Sequence, residues 1–306
     1  MIKKILVIYY SQSGQLEEIL DNFTLPLADA GHMVEKVAIH PITPYPFPWT
    51  GTSFFAVMPE CVRQIPTPLR PFTLKESRYD LVVIGYQAWF LSPSIPSNSM
   101  LSHPDIKGVL HDTPVITITG ARNMWISALE DIKKILKTNY AHQVGNIALV
   151  DKHANLISFI TIFHWMFRGK KERYLNLFPK PGVSDEDIKS TETYGKTVAK
   201  YLETGSWQGL QQELVAQKAV EVKYNLMFIE SKAKRIFGIW ANLIVKRKKR
   251  TAWLVAFKYY LLIALFIAAP IILTIDAIFF KPFLSGRIKR QKKYYSDVNY
   301  SSKNVA

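Results

Sequence analysis

The sequence predicts an α/β fold: a doubly wound, five-stranded parallel sheet followed by a C-terminal helical, membrane-associated extension. Three observations lead there. Apolar runs of strand length recur between helical stretches, and they are continuous rather than alternating, as strands covered on both faces are. The first run breaks into a polar, glycine-containing turn directly before a helical stretch. The last quarter of the chain differs sharply from the rest in charge and hydropathy.

The strands read as "KILVIYY" (4–10), "MVEKVAI" (33–39), "YDLVVIGY" (79–86), "PVITITG" (114–120) and "NIALVD" (146–151), with helices expected at 14–31, 98–110, 122–138 and 184–204. In open α/β sheets ligands sit at the carboxyl ends of the strands. The first strand ends in "SQSG", the third in "YQAWFLSPSIP" and the fourth in "TGARNMW". Ser and Gly at the first of these ends suit a simple helix cap. They equally suit an anion site, because a helix N-terminus presents free N–H groups and partial positive charge. Adjacent aromatics at the second end favour a planar, stacking ligand beside that anion site.

Composition narrows the class. Seventeen Phe, fifteen Tyr and seven Trp in 306 residues exclude a disordered chain. A single cysteine, Cys61, excludes internal disulfides and cysteine-based zinc clusters, and no spacing of metal ligands stands out. The start "MIKKILVIYY" is too short in its apolar part for a secretory signal and reads as a strand.

The net charge of +15 is unevenly spread. Residues 231–306 carry 16 Lys and Arg against Asp276 and Asp297, leaving +1 for the first 230 residues. Within that basic region "YYLLIALFIAAPIILTI" (259–275) is free of charge, and "KRKKR" (246–250) and "RIKRQKK" (287–293) flank it. A span needs ~20 apolar residues, the two basic flanks both resist translocation, and Pro270 should break or kink a helix. These features predict a re-entrant hairpin or an in-plane helix with both ends cytoplasmic. Membrane lipids are the expected partner. Nucleic acid is not, since it would not explain why basic blocks bracket the most apolar run.

The body resembles the flavodoxin-like flavoproteins, with strand order 2-1-3-4-5. That resemblance implies FMN as cofactor, bound by Ser11, Gln12, Ser13, Gly14 and Gln15 at the phosphate and by Gln87, Ala88, Trp89 and Phe90 at the ring. Thr119, Gly120, Ala121, Arg122 and Asn123 match the second ring loop. Leu16 stands where the family usually has Thr, removing one phosphate hydroxyl. Along the whole chain, including "PYPFPWT", "VGNIALVDKHANLIS", "FPKPGVSDEDI" and "RIFGIWA", the sequence is similar to the proteins of dialkylresorcinol (flexirubin-type pigment) biosynthesis often labelled dialkylresorcinol condensing enzymes. This implies an FMN-dependent oxidoreductase that aromatises a cyclohexanedione-like lipophilic substrate, beside a ketosynthase-like partner, on the cytoplasmic face of the inner membrane. A NAD(P)H:quinone reductase or electron carrier, and a flavin-free membrane scaffold, are the competing readings.

Four segments follow: a flavodoxin-like domain at 1–204, a helical extension at 205–250, a membrane-associated segment at 251–293 and a tail at 294–306. In the extension "QGLQQELVAQKAVEV" (208–222) reads as an amphipathic helix. The segments 44–60 and 151–171 are too long and apolar for plain connections; the first would pack on itself or wall a greasy substrate, the second touch the bilayer. If ring aromatisation is the reaction, His153 with Asp151, at the end of the fifth strand, is the candidate base.

Overall fold

The computed structural model describes residues 1–298, so 299–306 of the predicted tail lie outside the described residues. Among the described residues seven strands form: β1 (Lys4–Tyr9), β2 (Met33–Ala38), β3 (Leu81–Tyr86), β4 (Ala88–Trp89), β5 (Ser92–Pro93), β6 (Pro114–Ala121) and β7 (His142–Val150). Five make one sheet in the order β2-β1-β3-β6-β7, and each of its pairings is parallel. This is the 2-1-3-4-5 winding of flavodoxin-like folds. The short β4 and β5 form a separate antiparallel hairpin.

The alternation of β1 shows why its run is apolar throughout. Ile5, Val7 and Tyr9 enter one core; Leu6 and Ile8 enter the other. The first core is closed by α1 (Gln15–Asp29) and, further along the chain, by Asp185–Thr204, through Leu16, Leu20, Phe23, Ile188 and Val198. On the opposite face, beyond the short helices α2 (Gly51–Ala56) and α3 (Met58–Val62), lie α4 (Ile95–Ser102), α5 (Pro104–Leu110) and α6 (Ile126–Thr138). They bring Met100, Leu101, Ile106 and Ile132 to the second core. The single helix expected at 98–110 is therefore two, since Pro104 forces His103 out of the helical region to ψ 136°.

After β7 come α7 (Asn155–Arg168), α8 (Asp185–Thr204), α9 (Leu210–Ala216) and α10 (Tyr224–Val245). The amphipathic helix expected at 208–222 ends early. Its second half turns extended, and Val220 pairs with Ala148 at the sheet edge.

The C-terminal region corrects a second expectation. Helices α11 (Thr251–Ile263), α12 (Ala269–Ile275) and α13 (Ser285–Ser296) join into one unbroken helical run of 46 residues, long and apolar enough to cross a membrane. Pro270 does not break it. A π-helical turn at Ala264–Ala268 precedes the proline and shifts the hydrogen-bond register. The run lies against the body along its length. Phe257 is fully buried beside Phe237 and Phe90, Phe266 meets Phe159 with ring centroids 5.1 Å apart, and Asp276 accepts a hydrogen bond from Tyr224 at 3.1 Å. The Tyr294 hydroxyl donates to Glu130 at 3.0 Å. Its other face exposes Ile263, Ile267, Ile271, Ile278, Phe279 and Phe283. The run makes no re-entrant turn between Thr251 and Ser296.

Candidate functional site

The loop after β1 enters α1 through Gly14, whose φ of 84° belongs to the left-handed region that glycine adopts freely. Gly14, at the N-cap, has no side chain with which to cap the helix. Ser11 Oγ accepts from Glu17 N at 3.3 Å, but the N–H groups of Ser13, Gly14, Gln15 and Leu16 have no acceptor among the described residues. An uncapped N-terminus with several free donors is what an anionic group needs. Leu16 turns into the core and contributes no hydroxyl.

Gln12 behaves differently from its neighbours. Its Nε2 donates to Pro46 O at 3.0 Å and its Oε1 accepts from the Trp49 indole N–H at 3.1 Å. While lining the cavity, this side chain also latches the 44–50 loop to the turn. That loop is held on its far side too, because Trp49 N donates to Met166 O at 2.8 Å.

The second wall is the β4–β5 hairpin. Phe90 and Leu91 at its tip have φ 47° and 60°, a conformation costing non-glycine residues roughly 1–2 kcal/mol each. This strain turns Trp89 into the centre of an aromatic cluster. Edge-to-face contacts reach it from Tyr45 at 5.3 Å, Trp49 at 5.4 Å and Tyr10 at 6.0 Å. Phe90 packs on Phe54 at 4.8 Å. Cys61 sits behind the hairpin, its thiol donating to Trp89 O at 3.1 Å, and burial pushes that thiol up. It is a packing residue.

The third wall comes from the end of β6 and from α7. Gly120, Ala121 and Arg122 face Ile162, Phe163, Trp165 and Met166 across a cavity of about 260 Å³. Burial lowers the Arg122 guanidinium to about 10 while Asp151 opposes the shift. Its Nη1 donates to Asn155 O at 3.3 Å.

Two buried amide atoms in this cavity lack partners among the described residues. Gln15 Oε1 accepts from Val183 N at 3.2 Å while its Nε2 is unpaired, and Gln87 Oε1 is unpaired. Buried polar atoms left so cost about 1–3 kcal/mol each, so a polar ligand is what they suit. Gly182 makes room at this point. It combines a φ of 83° with a position where a Cβ would come within 2.7 Å of Gln15 Nε2.

The cavity therefore gathers Gln12, Ser13, Gln15, Gln87, Ala88, Trp89, Phe90, Gly120, Ala121 and Arg122. Thr119 is absent because its hydroxyl donates to Tyr86 O at 2.8 Å inside the sheet. Asn123 turns to Asn155 Oδ1 at 2.8 Å and lines a neighbouring cavity. Asp151 and His153 also belong to that neighbour, which corrects their assignment to the ring site. Asp151 N bonds back to Ala121 O and Arg122 O, turning the chain away from the aromatic cavity. The buried carboxylate accepts from His153 N, His153 Nδ1 at 2.6 Å and Ser158 Oγ at 2.8 Å, which makes it the anchor of the β7–α7 connection. Among the described residues no three His, Cys, Asp or Glu side chains gather as a metal site.

No protein-family model matches this chain, and no curated protein matches it. Solved structures do. One similar structure is a flavoprotein from Lactobacillus acidophilus NCFM in complex with FMN, 15% identical, covering 48% of this chain and 93% of its own, with a TM-score of 0.40. Another is a flavodoxin from the domain Archaea, 10% identical, covering 65% of this chain and 99% of its own, with a TM-score of 0.37. A flavone reductase is 10% identical, covering 65% of this chain and 63% of its own, with a TM-score of 0.37.

The residues present fit a flavin mononucleotide. The free N–H groups at 13–16 suit the phosphate, the Trp89 and Phe90 hairpin suits the ring, and the orphaned Gln15 and Gln87 amides suit its polar edge. Sequence reasoning missed Gly182 and the inward face of α7. The first was signalled only by "PG" before the α8 cap Ser184, and the second by a period-3.6 stripe (Ile162, Trp165, Met166) that was assigned to lipid.

Proposed function

We propose that this protein is a membrane-docked, FMN-dependent oxidoreductase of a lipophilic ring, and that the ring is a 2,5-dialkylcyclohexane-1,3-dione aromatised to a dialkylresorcinol. The observation that carries the flavin is the cavity itself, where an uncapped helix N-terminus, an aromatic hairpin and two unpaired buried amides converge. The substrate class rests on the whole-chain resemblance to dialkylresorcinol biosynthesis proteins, and the apolar walls Phe54, Phe163 and Met166 support it.

The flavin, when bound, would accept a hydride from the ring carbon. The chain's own part is orientation and charge. A 1,3-dione ionises readily, and Arg122, desolvated in the cavity wall, would hold its enolate oxygen and keep the anion in place. The second hydrogen leaves as a proton to water, so the substrate loses two hydrogens in total and becomes aromatic. Oxygen or a quinone takes the electrons. The apolar walls that α7 and the 44–50 loop add to the cavity favour an enzyme acting on a greasy substrate over an electron carrier, which has no need of them. NAD(P)H is the co-substrate of the rival quinone-reductase reading. A ketosynthase-like enzyme would supply the dione, and the exposed apolar face of the C-terminal run would hold the protein at the cytoplasmic face of the membrane.

The test is to delete the protein from a pigment-producing cell and identify what accumulates. The unaromatised dione supports the reading; unchanged pigment, or loss of every condensed product, opposes it.

A further inference from the structure

The cavity beside the flavin site is the larger of the two, about 630 Å³, and the proposed reaction makes no use of it. Its walls are the carboxyl end of β7, the start of α10 and the C-terminal helical run. The charge there is one-sided. Lys152, Lys223, Lys281 and Lys292 line it with His153, against the carboxylates of Asp151 and Glu221. Asp151 is spent on its three internal donors. Lys152 pairs with Asp187, and Lys223 stands 3.6 Å from Glu221. Among the described residues Lys281 and Lys292 have no carboxylate partner; Lys281 lies over the Tyr224 ring at 5.6 Å.

The same cavity is lined by Leu273 of α12. On either side of Leu273 the helix exposes Ile271, Ile272, Ile275 and Ile278. A cationic recess thus opens at the foot of an exposed apolar helix face. A soluble phosphate compound would gain nothing from that face. A phospholipid would use both halves, with its phosphate against the lysines and its acyl chains along α12.

We propose that this recess is a headgroup site for an anionic phospholipid. The proposal rests on the membrane-docked part of the reading above and adds to it a specific point of contact. Lys281 and Lys292 bind the phosphate, and His153 and Asn155 lie at the recess wall as further polar partners.

The full-length protein is tested by sedimentation with phosphatidylcholine vesicles and with mixed phosphatidylcholine–phosphatidylglycerol vesicles. The wild type should prefer the mixed vesicles. Lys281→Gln with Lys292→Gln should cut the partition onto mixed vesicles by about tenfold or more, on the usual contribution of a surface cation, and leave the phosphatidylcholine partition unchanged. The control pair Lys248→Gln and Lys249→Gln removes equal charge from an exposed loop outside the recess. Equal losses from the two pairs mean general surface attraction and overturn the site. Matching thermal midpoints show that the variants are folded. Glycerol 3-phosphate at a saturating level should displace the wild type from mixed vesicles. If it binds without displacing them, the recess takes a soluble phosphate and the lipid assignment fails. A wild type that binds neither vesicle refutes the membrane reading itself, whereas equal binding to both refutes only the headgroup site.

Discussion

Trp49 donates its indole N–H to the side-chain carbonyl of Gln12 across 3.1 Å, fastening an aromatic loop to the turn that would hold a phosphate. The same loop is bonded to α7 through Trp49 N and Met166 O. Two apolar insertions are thereby closed over one cavity. Trp49→Phe keeps the ring and removes the N–H. A neutral hydrogen bond contributes about 1 kcal/mol, so FMN affinity should fall by about fivefold in a fluorescence titration, with the absorption maximum of the bound flavin little changed.

Gly14 has the left-handed φ that opens the helix N-terminus, and a Cβ there meets nothing within 4 Å. Gly14→Ala should therefore carry only the conformational cost, about 1 kcal/mol, and still bind flavin. Gly14→Asp adds a carboxylate beside the phosphate position and should abolish binding. Equal behaviour of the two variants in the same titration would remove the anion from this turn.

How much of this was legible in the sequence depends on the kind of interaction. The sheet was readable because Ile5 to Tyr9 must be buried on both faces, and a continuous apolar run has few other uses. The three loops were readable because strand ends fix where ligands sit. The latch made by Gln12 was not legible because its partner, Trp49, lies 37 residues away and local pattern carries no such distance. His153 was misplaced for a related reason. Its nearness to Asp151 is local, but the direction of the pair is set by the bonds of Asp151 N to Ala121 and Arg122. Pro270 was given its ordinary effect, and a π-helical turn that no residue type announces absorbed it.

Glu230 is buried on α10, with Oε1 accepting from Ser127 N at 2.6 Å and Oε2 unpaired. Burial raises its carboxyl to about 7. Between the ordinary carboxyl range near pH 4.5 and pH 7 the folded state holds more protons than the unfolded state. Stability must therefore fall as pH rises through that window and level off above it. Glu230→Gln should be more stable than the wild type at pH 8, by an amount on the order of 3 kcal/mol at most. Thermal melts at pH 5 and pH 8 check this: the wild type should lose stability between them and the variant much less.

Phe257 anchors the C-terminal run in the aromatic cluster of Phe55, Phe90, Phe237 and Trp240, whereas Phe283 points outward. Truncating a buried Phe to Ala costs about 3–5 kcal/mol. Phe257→Ala should lower the unfolding midpoint markedly in a fixed detergent, and Phe283→Ala should leave it within about 0.5 kcal/mol of wild type. Equal, small effects would mean that the run is not packed on the body.

The central claim is that the cavity between the Gly14 turn, the Trp89 hairpin and α7 holds FMN. The most direct measurement is the visible absorption spectrum of the purified full-length protein, followed by denaturation and identification of what is released. A yellow protein releasing one FMN per chain is the expected result. A colourless protein that also fails to bind added FMN would contradict the account and leave the membrane scaffold in its place.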